Sequence, residues 1–75
     1  MQPDSRFSII EFSSEAVVYD RLSGDSHYLS PMAYARLQQR NPAEIASLLD
    51  VPLDHRLEQE LEALDAQFLA WGIRV

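Results

Sequence analysis

A chain of 75 residues has room for one domain, 1–75, and one small core. With no cysteine it has neither disulfides nor thiolate metal ligands to staple that core. Twelve acidic residues stand against six arginines and no lysine, a formal net charge of -6 that sets the electrostatics against a phosphate backbone and excludes nucleic acid as the expected partner.

The acids concentrate from Glu44 to Asp65, where Arg56 is the only strong base, so the second half suits a basic peptide or protein surface. Met1 to Ser8 lacks the basic start and apolar run of a signal peptide, and no later stretch is long enough to span a bilayer. The expectation is a soluble chain with no membrane partner, cytoplasmic by default.

Gln2 to Ser5 reads as a frayed terminus. Phe7 to Phe12 reads as a first strand, with Phe7, Ile9 and Glu11 on one side and Ile10 and Phe12 on the other. Ser13-Ser14-Glu15 turns the chain. Two further runs of β-formers, Val17 to Tyr19 and Ser26 to Leu29, flank a connector in which Ser23, Gly24 and Asp25 supply turn chemistry, which predicts a hairpin. The result is a three-stranded antiparallel meander whose third strand is an edge.

Ser30 can cap a helix that begins at Pro31, since proline has no N–H to leave unpaired at a first helical position. This helix runs to about Arg40, with Ala33 and Leu37 inward, Met32 and Tyr34 beside them, and Arg36, Gln38, Gln39 and Arg40 wet. Asn41-Pro42-Ala43-Glu44 is a capping box with a first-turn proline. It opens a short helix with Ile45, Leu48 and Leu49 on one face, ended by Asp50-Val51-Pro52 because a residue before proline is pushed out of the helical region. Leu53, Leu57, Leu61, Leu64, Phe68 and Trp71 then recur at spacings of four and three, one stripe of a last helix capped by Asp54. Gly72 stops it in a Schellman-type cap that folds Ile73 back on Phe68, after which Arg74 and Val75 run out. Three strands followed by three helices is an α+β, winged-helix-like arrangement.

The segment Val17-Val-Tyr-Asp-Arg-Leu-Ser-Gly-Asp-Ser-His-Tyr-Leu-Ser-Pro31, with the short helix and the long leucine-spaced helix closing on Trp71-Gly72-Ile73, resembles the PqqD-like family. It is most similar to the branch called the HPr-rel-A system PqqD family peptide chaperone. The Ser-Gly-Asp-Ser-His segment is the distinctive part. Arg36, Gln39 and Arg40 stand where family members carry more apolar residues late in the first helix. The resemblance implies a winged-helix RiPP recognition element, a domain that binds the leader part of a precursor peptide and presents it to a modifying enzyme. The branch implies a neighbouring protein related to HPr kinase.

The residues themselves are compatible with that role. A third strand at an edge leaves backbone groups free on one side, so an extended peptide can add along Ser26, His27, Tyr28 and Leu29. Side-chain selectivity would come from a groove beside the last helix, floored by Leu57 and Leu61 and rimmed by Glu58, Glu62 and Asp65, which favours arginine or lysine in the leader. Helical spacing does not say which flank those acids occupy, and a one-residue slip would exchange His27 and Leu29 for Tyr28 between faces. The plainer readings stand beside these: the leucines, Phe68 and Trp71 as core, the carboxylates as a solvated face, His27 as a tolerated edge residue, and Tyr19 and Tyr28 as cross-strand packing.

No nucleophile elbow, phosphate loop or metal-binding helix occurs, and His27 and His55 lie on different elements, so no enzyme, cofactor or metal site is expected. Two other classes remain open. A winged-helix DNA-binding regulator would need a basic recognition helix, whereas Ala43 to Leu49 and Asp54 to Trp71 are acidic. A structural subunit would form a homodimer across the third strand.

Overall fold

The computed structural model describes residues 6–73; the readings for Gln2 to Ser5 and for Arg74 and Val75 lie outside them. Strands β1 (Phe7–Phe12), β2 (Glu15–Asp20) and β3 (Ser26–Leu29) precede helices α1 (Pro31–Leu37), α2 (Pro42–Leu49) and α3 (His55–Ala70). This is the expected α+β layout, an antiparallel sheet in the order β1-β2-β3 followed by three helices. The chain divides within α1 into a strand unit ending at Tyr34 and a helical unit starting at Ala35.

In the strand unit, β1 and β2 are joined by the two residues Ser13 and Ser14, so Phe12 pairs with Glu15 and Phe7 with Asp20. Ser13 takes a left-handed φ of 61° to close so tight a turn. Glu15, expected in the turn, opens β2 instead. Directly opposed residues share a face. Phe7, Ile9 and Glu11 therefore lie with Asp20, Val18 and Ala16, and through β2 with His27 and Leu29. That is the buried face: Ala16, Val18, Asp20 and Leu29 are all buried. The opposite face carries the row Ile10, Val17 and Tyr28, with Phe12 and Tyr19 beside it. The register question for β3 thus resolves with His27 and Leu29 on the buried face and Tyr28 outside. Ser30 caps α1 as expected, its hydroxyl accepting from the Ala33 N–H at 3.2 Å.

In the helical unit, α2 and α3 pack against one another. The capping box is complete: the Asn41 side chain accepts from the Glu44 N–H at 2.8 Å, and the Glu44 carboxylate accepts from the Asn41 N–H at 3.0 Å. The core is Ile45, Ala46, Leu57, Leu61 and Phe68, closed by Ile73. All three helices end alike. A residue at the cap or just beyond it turns left-handed, Gln39 at φ 65°, Asp50 at φ 55° and Gly72 at φ 86°, and the next amide reaches back to a carbonyl five residues earlier. Ile73 donates to the Phe68 carbonyl at 2.8 Å, the closure expected there.

Five local expectations are corrected. The closure at Gln39, where Arg40 donates to the Ala35 carbonyl, ends α1 at Leu37 rather than near Arg40. Ala35 joins Ala33 in being buried while Leu37 is half-buried, and Arg36 is half-buried rather than wet because it is drawn to Asp65. On α2 the buried pair is Ile45 and Ala46, and Leu48 is 59% exposed, so the inward face is rotated from the expected one. Leu53 lies ahead of the Asp54 cap and outside the stripe, 55% exposed.

Candidate functional site

β3 is held to β2 by a turn built around one buried carboxylate. Asp20 accepts two hydrogen bonds from the Arg6 guanidinium, both at 2.9 Å, one from the Leu22 N–H at 2.9 Å and one from the Ser23 hydroxyl at 3.0 Å. These donors, Arg6 foremost, hold the Asp20 carboxyl well below the usual carboxylate range, against the cost of its burial. The Ser23 hydroxyl in turn accepts from the Asp25 N–H, and the Gly24 N–H donates to the Asp20 carbonyl at 2.8 Å. Gly24 sits at φ 80°, a conformation that an L side chain strains to adopt.

The Asp20 N–H donates to the Asp25 carbonyl at 2.8 Å, which fixes the alternation along the ladder. The Asp25 carbonyl accepts from β2, His27 and Leu29 exchange hydrogen bonds with it, and the N–H and C=O groups of Ser26 and Tyr28 point away from it. Among the described residues no strand pairs with that outer side. Tyr28 is 58% exposed, and its hydroxyl donates to the Glu15 carboxylate at 2.5 Å, a bond that pushes the phenol's proton affinity up. Of the four strand residues expected at a peptide site, Ser26 and Tyr28 thus offer backbone to the outside. His27 is half-buried and Leu29 is buried.

Of the five helix residues expected there, Leu57 and Leu61 are core, 3% and 2% exposed. Leu61 nonetheless reaches the floor of a cleft of about 330 Å³ lined also by Arg36, Pro42, His55, Glu58, Gln59 and Glu62. Glu58 and Glu62 stand one turn apart on its lip. Asp65 does not line it; its carboxylate accepts two hydrogen bonds from Arg36, at 2.9 and 2.8 Å, which lower its proton affinity. Arg36 is further anchored to the Arg40 carbonyl at 3.2 Å.

The Arg6–Asp20 and Arg36–Asp65 pairs were not singled out from sequence. Strand alternation carried a signal for the first, since Asp20 shares the parity of Ala16 and Val18. The second joins residues 29 positions apart, and no local pattern announces it. Among the described residues no group of three or more histidine or carboxylate side chains is placed to hold a metal ion. None of their helices is long and apolar enough to cross a membrane. Comparison with family models, with curated proteins and with solved structures returns no match to this chain.

Proposed function

We propose that this chain is a non-catalytic peptide-binding adaptor that takes an extended peptide as an added strand on β3. The observation that carries the proposal is the outward direction of the Ser26 and Tyr28 backbone groups on a strand that, among the described residues, pairs with no strand on its outer side. The edge lies in the same Val17 to Pro31 segment that resembles the PqqD-like family, and the strand-then-helix order agrees with a winged-helix recognition element. On this reading the ligand is the leader of a precursor peptide in the cytoplasm. The adaptor hands it to a modifying enzyme, with an HPr kinase-related protein as the candidate partner. Four backbone hydrogen bonds, two from each outward residue, supply affinity. The acidic balance of the chain favours arginine or lysine in the peptide.

The test is an NMR titration of labelled protein with synthetic peptides encoded beside its gene, at low and moderate salt. Saturable shifts at Ser26 to Leu29 support strand addition. Shifts confined to other elements, or none with any neighbouring peptide, remove it.

A further inference from the structure

The other edge of the sheet is the longer one. In β1 the Arg21 N–H donates to the Arg6 carbonyl at 2.8 Å, so Ser8, Ile10 and Phe12 exchange hydrogen bonds with β2, and the backbone groups of Phe7, Ile9 and Glu11 point outward. Ile9, Ile10 and Phe12 are 52%, 62% and 44% exposed. Glu11 is the strand's one charge, and no lysine, proline, glycine or bulge interrupts Phe-Ser-Ile-Ile-Glu-Phe. A short segment of this kind pairs readily with an identical one.

The geometry points to a second copy of this chain as the occupant of that edge, the two β1 strands pairing antiparallel about a two-fold axis at Ile9. A two-fold perpendicular to the sheet pairs residues of like parity, which limits the registers. Centred on Ile9, the pairing sets Ile9 against Ile9 and Phe7 against Glu11 at both ends, using all three outward residues. The charges then match as well. The Arg6 guanidinium lies over the Phe7 ring, 4.9 Å from its centroid, and the Arg6 side chain remains 39% exposed beside Asp20. Each Glu11 carboxylate therefore comes to rest opposite a Phe7 that carries a guanidinium. A register centred on Glu11 would oppose two carboxylates, and one centred on Ile10 would set Glu11 against Ile9. Six residues a side fall well short of the roughly 800 Å² per partner of a standard interface, so the dimer is weak and reversible. It forms without β3, and so stands apart from the peptide reading and leaves that edge open.

Because the chain has no cysteine, single cysteines report the register directly. Opposed residues of a hydrogen-bonded antiparallel pair have Cα atoms about 5.5 Å apart, within disulfide reach, whereas Ile10 and its two-fold mate would be about 8 Å apart and out of reach. Both side chains are exposed, so Ile9→Cys and Ile10→Cys keep the fold, which circular dichroism checks. The unsubstituted chain is expected to shift from monomer to dimer with concentration in sedimentation velocity, and Ile9→Cys to form the covalent dimer under mild oxidation at least tenfold faster than Ile10→Cys. A monomer at every concentration up to about 1 mM overturns the proposal. So does cross-linking of Ile10→Cys at a rate equal to or above that of Ile9→Cys.

Discussion

Proline substitution along β3 separates a peptide-bearing edge from a merely solvated one, because the two sides of the strand respond oppositely. The Tyr28 N–H points away from β2, so Tyr28→Pro removes an outward donor and spares the ladder. The His27 N–H is part of the ladder with Val18, so His27→Pro breaks the hairpin itself. An added strand makes four hydrogen bonds to Ser26 and Tyr28. At about 0.5–1.5 kcal/mol net for each, they supply roughly 2–6 kcal/mol of binding. Loss of the Tyr28 donor should weaken peptide binding about 2- to 12-fold, measured by fluorescence anisotropy of a labelled peptide, with near-native circular dichroism. His27→Pro should lose both binding and the hairpin's strand signal. If Tyr28→Pro folds and binds the peptide as tightly as the parent, the β3 edge is not where the peptide sits.

Four further outcomes follow from the packing and the caps. Phe68→Ala removes a side chain with 0% exposure and should cost about 3–5 kcal/mol, enough to leave a chain of this size largely unfolded in thermal denaturation. Asn41→Ala removes the side-chain half of the capping box and should cost about 1 kcal/mol, read as a lower urea midpoint at constant slope. Gly72→Ala forces a side chain into φ 86° and should cost roughly 1 kcal/mol, against no effect from Ala70→Gly beyond its helix propensity. The carboxyls of Asp20 and Asp65 both titrate lower folded than unfolded, so the stability they contribute is present above about pH 4 and is lost as pH falls through their folded-state values. Asp20→Asn and Asp65→Asn should each flatten the acid limb of stability against pH; an unchanged limb would show that the guanidinium contacts do not persist in solution.

Most of the fold was legible because its signals are local. Ser-Gly-Asp between two β-rich runs, the Asn41 to Glu44 box and the Phe68 to Ile73 closure each act within a few residues, and each appears where the chemistry places it. What was not legible depends on partners distant in the chain. Arg36 looked like a wet helix residue because nothing near it reveals Asp65, and Leu48 looked inward because periodicity gives a face without saying which face is covered. Leu53 fit the leucine spacing, yet Asp54 has extended backbone at φ -140° and begins the helix after it. For the candidate site, the β3 edge was readable from the meander. Which of its residues face outward was not, because a one-residue slip reverses the answer, and the register follows from the Asp20-centred turn. The apolar edge at β1 was visible as a strand with hydrophobic residues on both sides. Its exposure emerges only from the sheet order.

The claim that β3 receives an added strand is tested most directly by amide hydrogen exchange on the uniformly labelled chain with and without a candidate leader peptide. Without peptide, His27 and Leu29 should exchange slowly, and Ser26 and Tyr28 rapidly. Saturating peptide should slow Ser26 and Tyr28 specifically, leaving the β1 amides of Phe7, Ile9 and Glu11 as they were. Binding that leaves Ser26 and Tyr28 in fast exchange would contradict strand addition and move the peptide to another surface of the protein.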